Sequence, residues 1–298
     1  MFGVLVMILT GFLAAKKSLI SQSGIGELSK IVVNISVPSL IISTMLTKYD
    51  AGVFRSSWYL PAFAFFNILI LNFGLALLAS KCLQLTPKRK PVFFFSASVM
   101  NYSFLTLPLA AMLYGTEGIL YVIMYSIAGD ILLWTFGIKI FDRKLNAFNW
   151  KNLANLNIFA LFAGGVCVYL GVRLPEYIIK PFTYLGNTTV PLVMLITGGV
   201  VAGIKLQDTK KLLLDPGILT LIFLKLILTP AIVLLLSGLF EIEPLVRAVI
   251  VLEAAMPTAF MSIILSKKYG KDANYAATGA LVTTILSVIT IPVYLSLL

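Results

Sequence analysis

Asn34-Ile35-Ser36-Val37-Pro38 recurs as Asn187-Thr188-Thr189-Val190-Pro191, and in both places the N-x-(S/T)-V-P run interrupts an otherwise apolar stretch. A second match follows in the same order at nearly the same offset: Tyr114-Gly115-Thr116-Glu117 and Tyr269-Gly270-Lys271-Asp272. Two ordered matches argue for two related halves, about 1–145 and 150–298. The segments around them set the class of protein. Of the 298 residues, 59% are hydrophobic and 12% charged, against roughly 45–50% and about 25% in soluble proteins. A soluble globule of this length cannot hide that much apolar surface, so an ordinary cytosolic enzyme is excluded.

A membrane helix needs about 20 mostly apolar residues. Charged and Gly/Pro clusters divide the chain into ten such stretches, near 1–15, 27–46, 58–80, 92–114, 118–140, 154–172, 178–203, 217–239, 245–265 and 273–298. The first lacks a basic leader and a cleavage site and reads as a retained span. Five spans per half is an odd number, so the second half enters the membrane in the opposite sense. The expected fold is an all-α integral membrane protein: ten transmembrane helices as two inverted five-helix repeats within a single transmembrane domain. Inverted repeats of this kind mark secondary transporters.

The basic residues carry the topology. Loops after odd-numbered spans hold most of the Lys and Arg, among them Lys16, Lys17, Lys88, Arg89, Lys90, Arg143, Lys144, Lys205, Lys267 and Lys268. Loops after even-numbered spans hold only Lys48, Arg55, Arg173, Lys180 and Arg247. The positive-inside bias puts the odd loops in the cytoplasm and both termini outside, in a cell membrane. The net charge of +11 therefore reflects insertion and anionic lipid heads, and no nucleic-acid partner is expected.

Spans 4 and 9 are the irregular pair. Span 4 carries Ser96, Ser98, Asn101, Tyr102, Ser103, Thr106 and Pro108 inside an apolar run, and span 9 carries Glu253 and Pro257-Thr258. Proline removes a backbone donor and clashes with the preceding turn. Freed backbone groups are tolerated at membrane depth only where protein or a water-filled cavity satisfies them. Broken helices at matching places in inverted halves point to a transport site. Their second halves are predicted to start near Ser103 and Thr258, with positive dipole ends suited to a carboxylate or other small anion.

Few charges lie deep in the spans. Glu253 is nine residues past Pro244 and Asp130 falls midway between Glu117 and Arg143. Such groups default to functional roles. Both are candidates for ion coupling, and Asp130 has Lys225 of span 8 as a possible salt-bridge partner. The two Asn/Pro motifs (Asn34, Pro38, Asn187, Pro191) and Lys225 are supporting residues. The Gly199/Gly203 and Gly164-Gly165 positions suit close helix packing, and Phe93-Phe94-Phe95 suits core or lipid. The chain has no His, two distant cysteines (Cys82 and Cys167) and no phosphate-binding loop. No metal, cofactor or ATP hydrolysis is expected, and an intramembrane lipid-modifying enzyme would lack a nucleophile or metal cluster.

Gly11-Phe12-Leu13 with Lys16-Lys17, the Asn34…Pro38 span, the run from Asn101 to Leu109, and Ala255-Met256-Pro257-Thr258-Ala259 with Tyr269-Gly270 together resemble the auxin efflux carrier family. That family includes plant PIN-type carriers and bacterial malate and malonate permeases, and the likeness runs end to end. It implies the inverted-repeat fold shared with bile-acid and sodium/proton transporters, with helices 4 and 9 crossing at their breaks. It also implies that Asn101, Pro108 and Pro257 carry the crossover. Positions 103 and 106, glycine in many members, are Ser103 and Thr106 here, so a particular substrate does not transfer. The long central loop of the plant carriers is absent, which favours a compact prokaryotic-type carrier.

The expected function is a secondary active carrier of a small organic anion, working by alternating access and coupled to a proton or sodium ion. Asn101, Tyr102, Ser103, Thr106 and Thr258 are its expected substrate contacts. A cation/proton antiporter using Asp130 and Glu253 is the alternative on the same fold, and a channel is a third reading. Membrane lipids are expected partners, and a homodimer is an open option.

Overall fold

The computed structural model describes residues 2–48, 59–102, 105–141, 156–172, 174–203 and 212–298. Ser103 and the loop cations Arg55, Arg143, Lys144, Lys151, Arg173, Lys205, Lys210 and Lys211 lie outside the described residues. Twelve helices account for nearly all of the described chain: α1 Phe2–Lys16, α2 Gln22–Thr47, α3 Leu60–Cys82, α4 Lys90–Ser98, α5 Thr106–Gly115, α6 Glu117–Phe141, α7 Leu156–Tyr169, α8 Glu176–Ala202, α9 Pro216–Ser237, α10 Pro244–Ala254, α11 Met261–Lys268 and α12 Ala273–Leu295. Six of these, α2, α3, α6, α8, α9 and α12, are long and apolar enough to cross a membrane unaided. They fall on expected spans 2, 3, 5, 7, 8 and 10. Spans 1 and 6 are the shorter apolar helices α1 and α7. Spans 4 and 9 are each two short helices, α4 with α5 and α10 with α11.

The prolines explain part of the local geometry. Pro38 cannot donate to the carbonyl four residues back, and the helix widens into a π-helical turn, Val32–Ser36, just ahead of it. Pro230 does the same in α9, where the π-helical turn is Leu224–Leu228. Two further π-helical turns, Phe66–Asn72 in α3 and Leu133–Gly137 in α6, have no proline to account for them. In α8 the helix is disturbed at Thr188 (ψ −17°), three residues before Pro191. The two N-x-(S/T)-V-P motifs thus distort their helices at corresponding positions. Gly115 (φ 62°, ψ −145°) turns the chain between α5 and α6 with no loop at all, a left-handed conformation that glycine adopts without steric cost.

The helices form two compact units. The first comprises Met1–Tyr59, Ser103–Met124 and Trp150–Gly203. In it α1 packs along the second half of α8, while α2 packs against α7 and the first half of α8. Glycines set the distances: a Cβ on Gly198 would run into the Ile8 carbonyl, and one on Gly11 into the Leu195 carbonyl. Gly164 and Gly186 admit Met45 and Leu40 of α2 in the same way, and Gly199 admits Ile25. Without a hydrophobic force between helices in lipid, such small-residue contacts supply the packing. The two repeated motifs meet directly, Ser36 Oγ lying 2.8 Å from Thr188 Oγ1.

The second unit comprises Leu60–Tyr102, Tyr125–Asn149 and Ile204–Leu298. Its centre is α4, which packs among α3, α9, α11, α12 and the end of α6. Nine residues make α4 about 13 Å long and eleven make α10 about 16 Å, roughly half a bilayer core each. Both are almost wholly buried: Val92, Phe93, Phe95, Ser96, Ala97 and Ser98 in α4, and every residue from Ala248 to Ala254 in α10. Short helices buried to this extent sit inside protein rather than against lipid. The Phe triplet is core, with Phe94 edge-on to Phe73 and Phe95 against Phe141.

Candidate functional site

The chain unwinds after α4 and again after α10, and the two unwound segments pair with each other. Met100 and Thr258 form an isolated antiparallel bridge. The Asn101 N–H donates to the Pro257 carbonyl at 2.9 Å, and the Ala259 N–H to the Val99 carbonyl at 3.4 Å. Backbone groups that a broken helix strands at depth therefore satisfy one another. The Thr258 side chain adds a bond from Oγ1 to the Ser96 carbonyl (3.0 Å), and its N–H donates to Thr283 Oγ1 of α12 (3.3 Å). Asn101, Tyr102, Pro257 and Thr258 are all buried.

The next helices start later than the sequence reading placed them. α5 begins at Thr106 and α11 at Met261, each three residues beyond the expected Ser103 and Thr258. The reason is that the paired segments are held extended by the bridge. Pro108 then falls in the first turn of α5, where its missing N–H leaves nothing unsatisfied, and Thr106 and Pro108 are buried there.

Acidic and phenolic groups gather beside this pairing in the second unit. Tyr102 donates from its hydroxyl to Asp130 Oδ1 of α6 at 2.9 Å. Gly129 makes room for the ring, since a Cβ there would sit about 2.8 Å from Tyr102 Cε1 and Cζ. Asn67 Nδ2 donates to the Tyr125 hydroxyl at 2.6 Å, and that hydroxyl reaches Met100 Sδ at 3.9 Å. Glu253, with none of its surface exposed, occupies the last turn of α10, where the carbonyl end of a helix repels an anion.

The sequence reading needs one clear correction here. Lys225 does not pair with Asp130: it is fully buried, so it does not snorkel either, and its Nζ has no hydrogen-bonding partner among the described residues. The repeated motifs sit elsewhere, in the first unit. There Asn34 is exposed and donates from Nδ2 to the Lys30 carbonyl of its own helix. Asn187 and Pro191 are also exposed, and Pro38 is buried.

Composition and span counting missed three participants. Asn67 and Tyr125 were lone polar groups in apolar runs with nothing to set them apart. Arg89 counted only as a loop cation, yet it joins three helix starts. Asp215 and Asp272 cap α9 and α12, accepting from the Gly217 N–H (2.8 Å) and the Tyr275 N–H (2.9 Å). The second oxygen of each accepts from Arg89, itself at the start of α4, at 2.9 Å. The guanidinium lies over the Tyr275 ring, 5.3 Å from its centroid. The hydrogen bond to Asp272, followed by the charges of both carboxylates, holds the guanidinium above its ordinary value despite partial burial.

Comparison with known proteins points to membrane transport. A family described as membrane transport protein matches residues 1–295. An uncharacterized transporter of Methanocaldococcus jannaschii is 27% identical over 98% of this chain and 95% of its own length. An uncharacterized transporter of Methanothermobacter thermautotrophicus is 23% identical, again over 98% of this chain and 95% of its own.

Proposed function

The chain belongs to the membrane transport protein family, that of the auxin efflux carriers, and from that premise we propose that it is a secondary active transporter of small organic anions. As a multi-pass membrane protein of a transporter family it needs a site away from lipid where backbone and polar groups meet. The observation that carries the reading is the main-chain pairing of residues 99–101 with 257–259, because two helices broken at one point leave polar groups in the interior of an apolar chain. Asn101, Tyr102, Ser103, Thr106 and Thr258 are the substrate contacts in this proposal, with Pro108 and Pro257 shaping the break. Glu253 and Asp130 couple transport to a proton or sodium ion.

The ten-span inverted repeat is part of the same proposal. Two features support it: α1 lies on α8 while α7 lies on α2, an exchange between the halves, and the repeated motifs touch at Ser36 and Thr188. Alternating access would then rock one bundle against the other. The Lys/Arg bias supports an orientation with both termini outside the cell membrane.

Reconstituted protein tests the reading. Uptake of labelled malate, malonate and indole-3-acetate into proteoliposomes is expected to saturate and to follow an imposed proton or sodium gradient. A second reading, a cation antiporter, draws on two carboxylates in the second unit, the buried Glu253 at the end of α10 and Asp130 held by Tyr102. Gradient-linked cation flux with no movement of any acid would establish it instead.

A further inference from the structure

Lys225 lies in the π-helical turn of α9 with none of its surface exposed, and its Nζ has no hydrogen-bonding partner among the described residues. One turn on, Thr229 Oγ1 donates to Asn72 Oδ1 of α3 at 2.8 Å. That bond fixes the Asn72 amide at the end of its own π-helical turn. Asn72 is 1% exposed, and its Nδ2 has no acceptor. Two buried donors, one of them charged, therefore stand on neighbouring turns of α3 and α9.

Among the described residues no carboxylate forms an ion pair with Lys225. Asp130 is engaged by Tyr102, and Asp215 and Asp272 are held by Arg89. The Asn67 Oδ1, one π-helical turn earlier on α3, is an acceptor without a partner, but it is neutral. An ammonium buried without a counter-charge costs far more than a buried amide. Donors in excess, positive charge and full burial together describe an anion-binding site rather than a cation-binding one.

We propose that Lys225 and Asn72 bind one small monovalent anion, a halide or a carboxylate, inside the second unit. The lysine supplies the charge, the asparagine a directed N–H, and Thr229 holds the asparagine in place. Anion binding to the folded chain alone stabilises it by mass action.

Thermal unfolding of the full chain in nanodiscs, titrated with chloride or with acetate at an ionic strength held by a bulky sulfonate, reads this directly. The wild type is expected to show a saturable rise in unfolding temperature. Lys225→Gln is expected to raise the half-saturating concentration about tenfold or more, the usual scale for losing a charged hydrogen bond. Lys225→Arg is expected to stay close to wild type, and Asn72→Leu to weaken binding severalfold. Saturation by chloride, by acetate or by both supports the site and identifies its occupant. No saturable effect in the wild type overturns it, as does an unchanged titration in Lys225→Gln. Should that variant not fold, Asn72→Leu decides, an unchanged titration there being the overturning result. Proteoliposome uptake run in parallel separates the proposals: uptake without anion stabilisation removes this site and leaves the carrier, and the converse removes the carrier alone.

Discussion

Tyr102 and Asp130, 28 residues apart, are joined by a 2.9 Å bond from phenol to carboxylate, with Gly129 leaving space for the ring. The bond links the unwound segment after α4 to the middle of α6. It also leaves Asp130 a hydrogen-bonded carboxylate rather than a bare charge, which lowers the cost of holding it at depth.

Removing the phenol tests that link. A Tyr102→Phe, Asp130→Asn double-mutant cycle in unfolding stability is expected to give a coupling of about 1 kcal/mol, the scale seen for hydrogen bonds within membrane proteins. Under the coupling proposal, Asp130→Asn lowers gradient-driven uptake far more than Tyr102→Phe does. Equal effects on uptake would make Asp130 a structural partner only.

Asn101 separates backbone from side chain. Asn101→Ala keeps the N–H that donates to Pro257 and is expected to fold near wild-type stability while losing most transport. Asn101→Pro removes that N–H and is expected to destabilise the chain by about 1–3 kcal/mol, the cost of an unsatisfied buried acceptor. Full uptake by Asn101→Ala would take the side chain out of the site.

The Arg89 junction is electrostatic and partly exposed, with side-chain exposures of 30%, 17% and 25% for Arg89, Asp215 and Asp272. Arg89→Ala is expected to cost about 1–2 kcal/mol, allowing for solvent screening. Arg89→Lys recovers little, since an ammonium cannot repeat a planar two-carboxylate contact. Because the folded guanidinium is held above its ordinary value, its contribution is complete below the arginine range and lost only at more alkaline pH. Unfolding midpoints of both variants from neutral to mildly alkaline pH check this: the deficit of Arg89→Ala should stay constant.

In the first unit, Gly198→Leu is expected to destabilise by about 1–3 kcal/mol by forcing α1 off α8, since any Cβ there meets the Ile8 carbonyl. A comparable change at Gly74, where a Cβ meets nothing within 4 Å, is the control and should be near neutral.

Much of this was legible in the sequence because apolar length and proline position act locally. Proline withholds a donor wherever it stands, so Pro257 announced an unwound turn; the widened turns ahead of Pro38 and Pro230 follow the same rule but were seen only in the structure. Asn101, Glu253 and Asp130 stood out because a polar group in an apolar run is costly in isolation. What stayed hidden was pairing across distance. Nothing in the run around Asn67 indicates that it faces Tyr125, and Asp130 and Lys225 looked like partners only because their charges are opposite. The Arg89 junction was hidden for another reason: Asp215 and Asp272 each serve a local cap with one oxygen, so neither needs explaining until the other oxygen is seen.

The main-chain ties between residues 99–101 and 257–259 bear on heredity as well as on chemistry. A junction held by peptide groups survives a change in the side chains it presents, provided proline is not introduced at a donor. Selection can therefore rewrite positions 101, 102 and 258 one at a time without dismantling the framework beneath them. Under the carrier proposal, a library randomised at those positions should return mostly folded proteins that differ in what they carry, and the crossing would be a place where new specificities arise from old scaffolds.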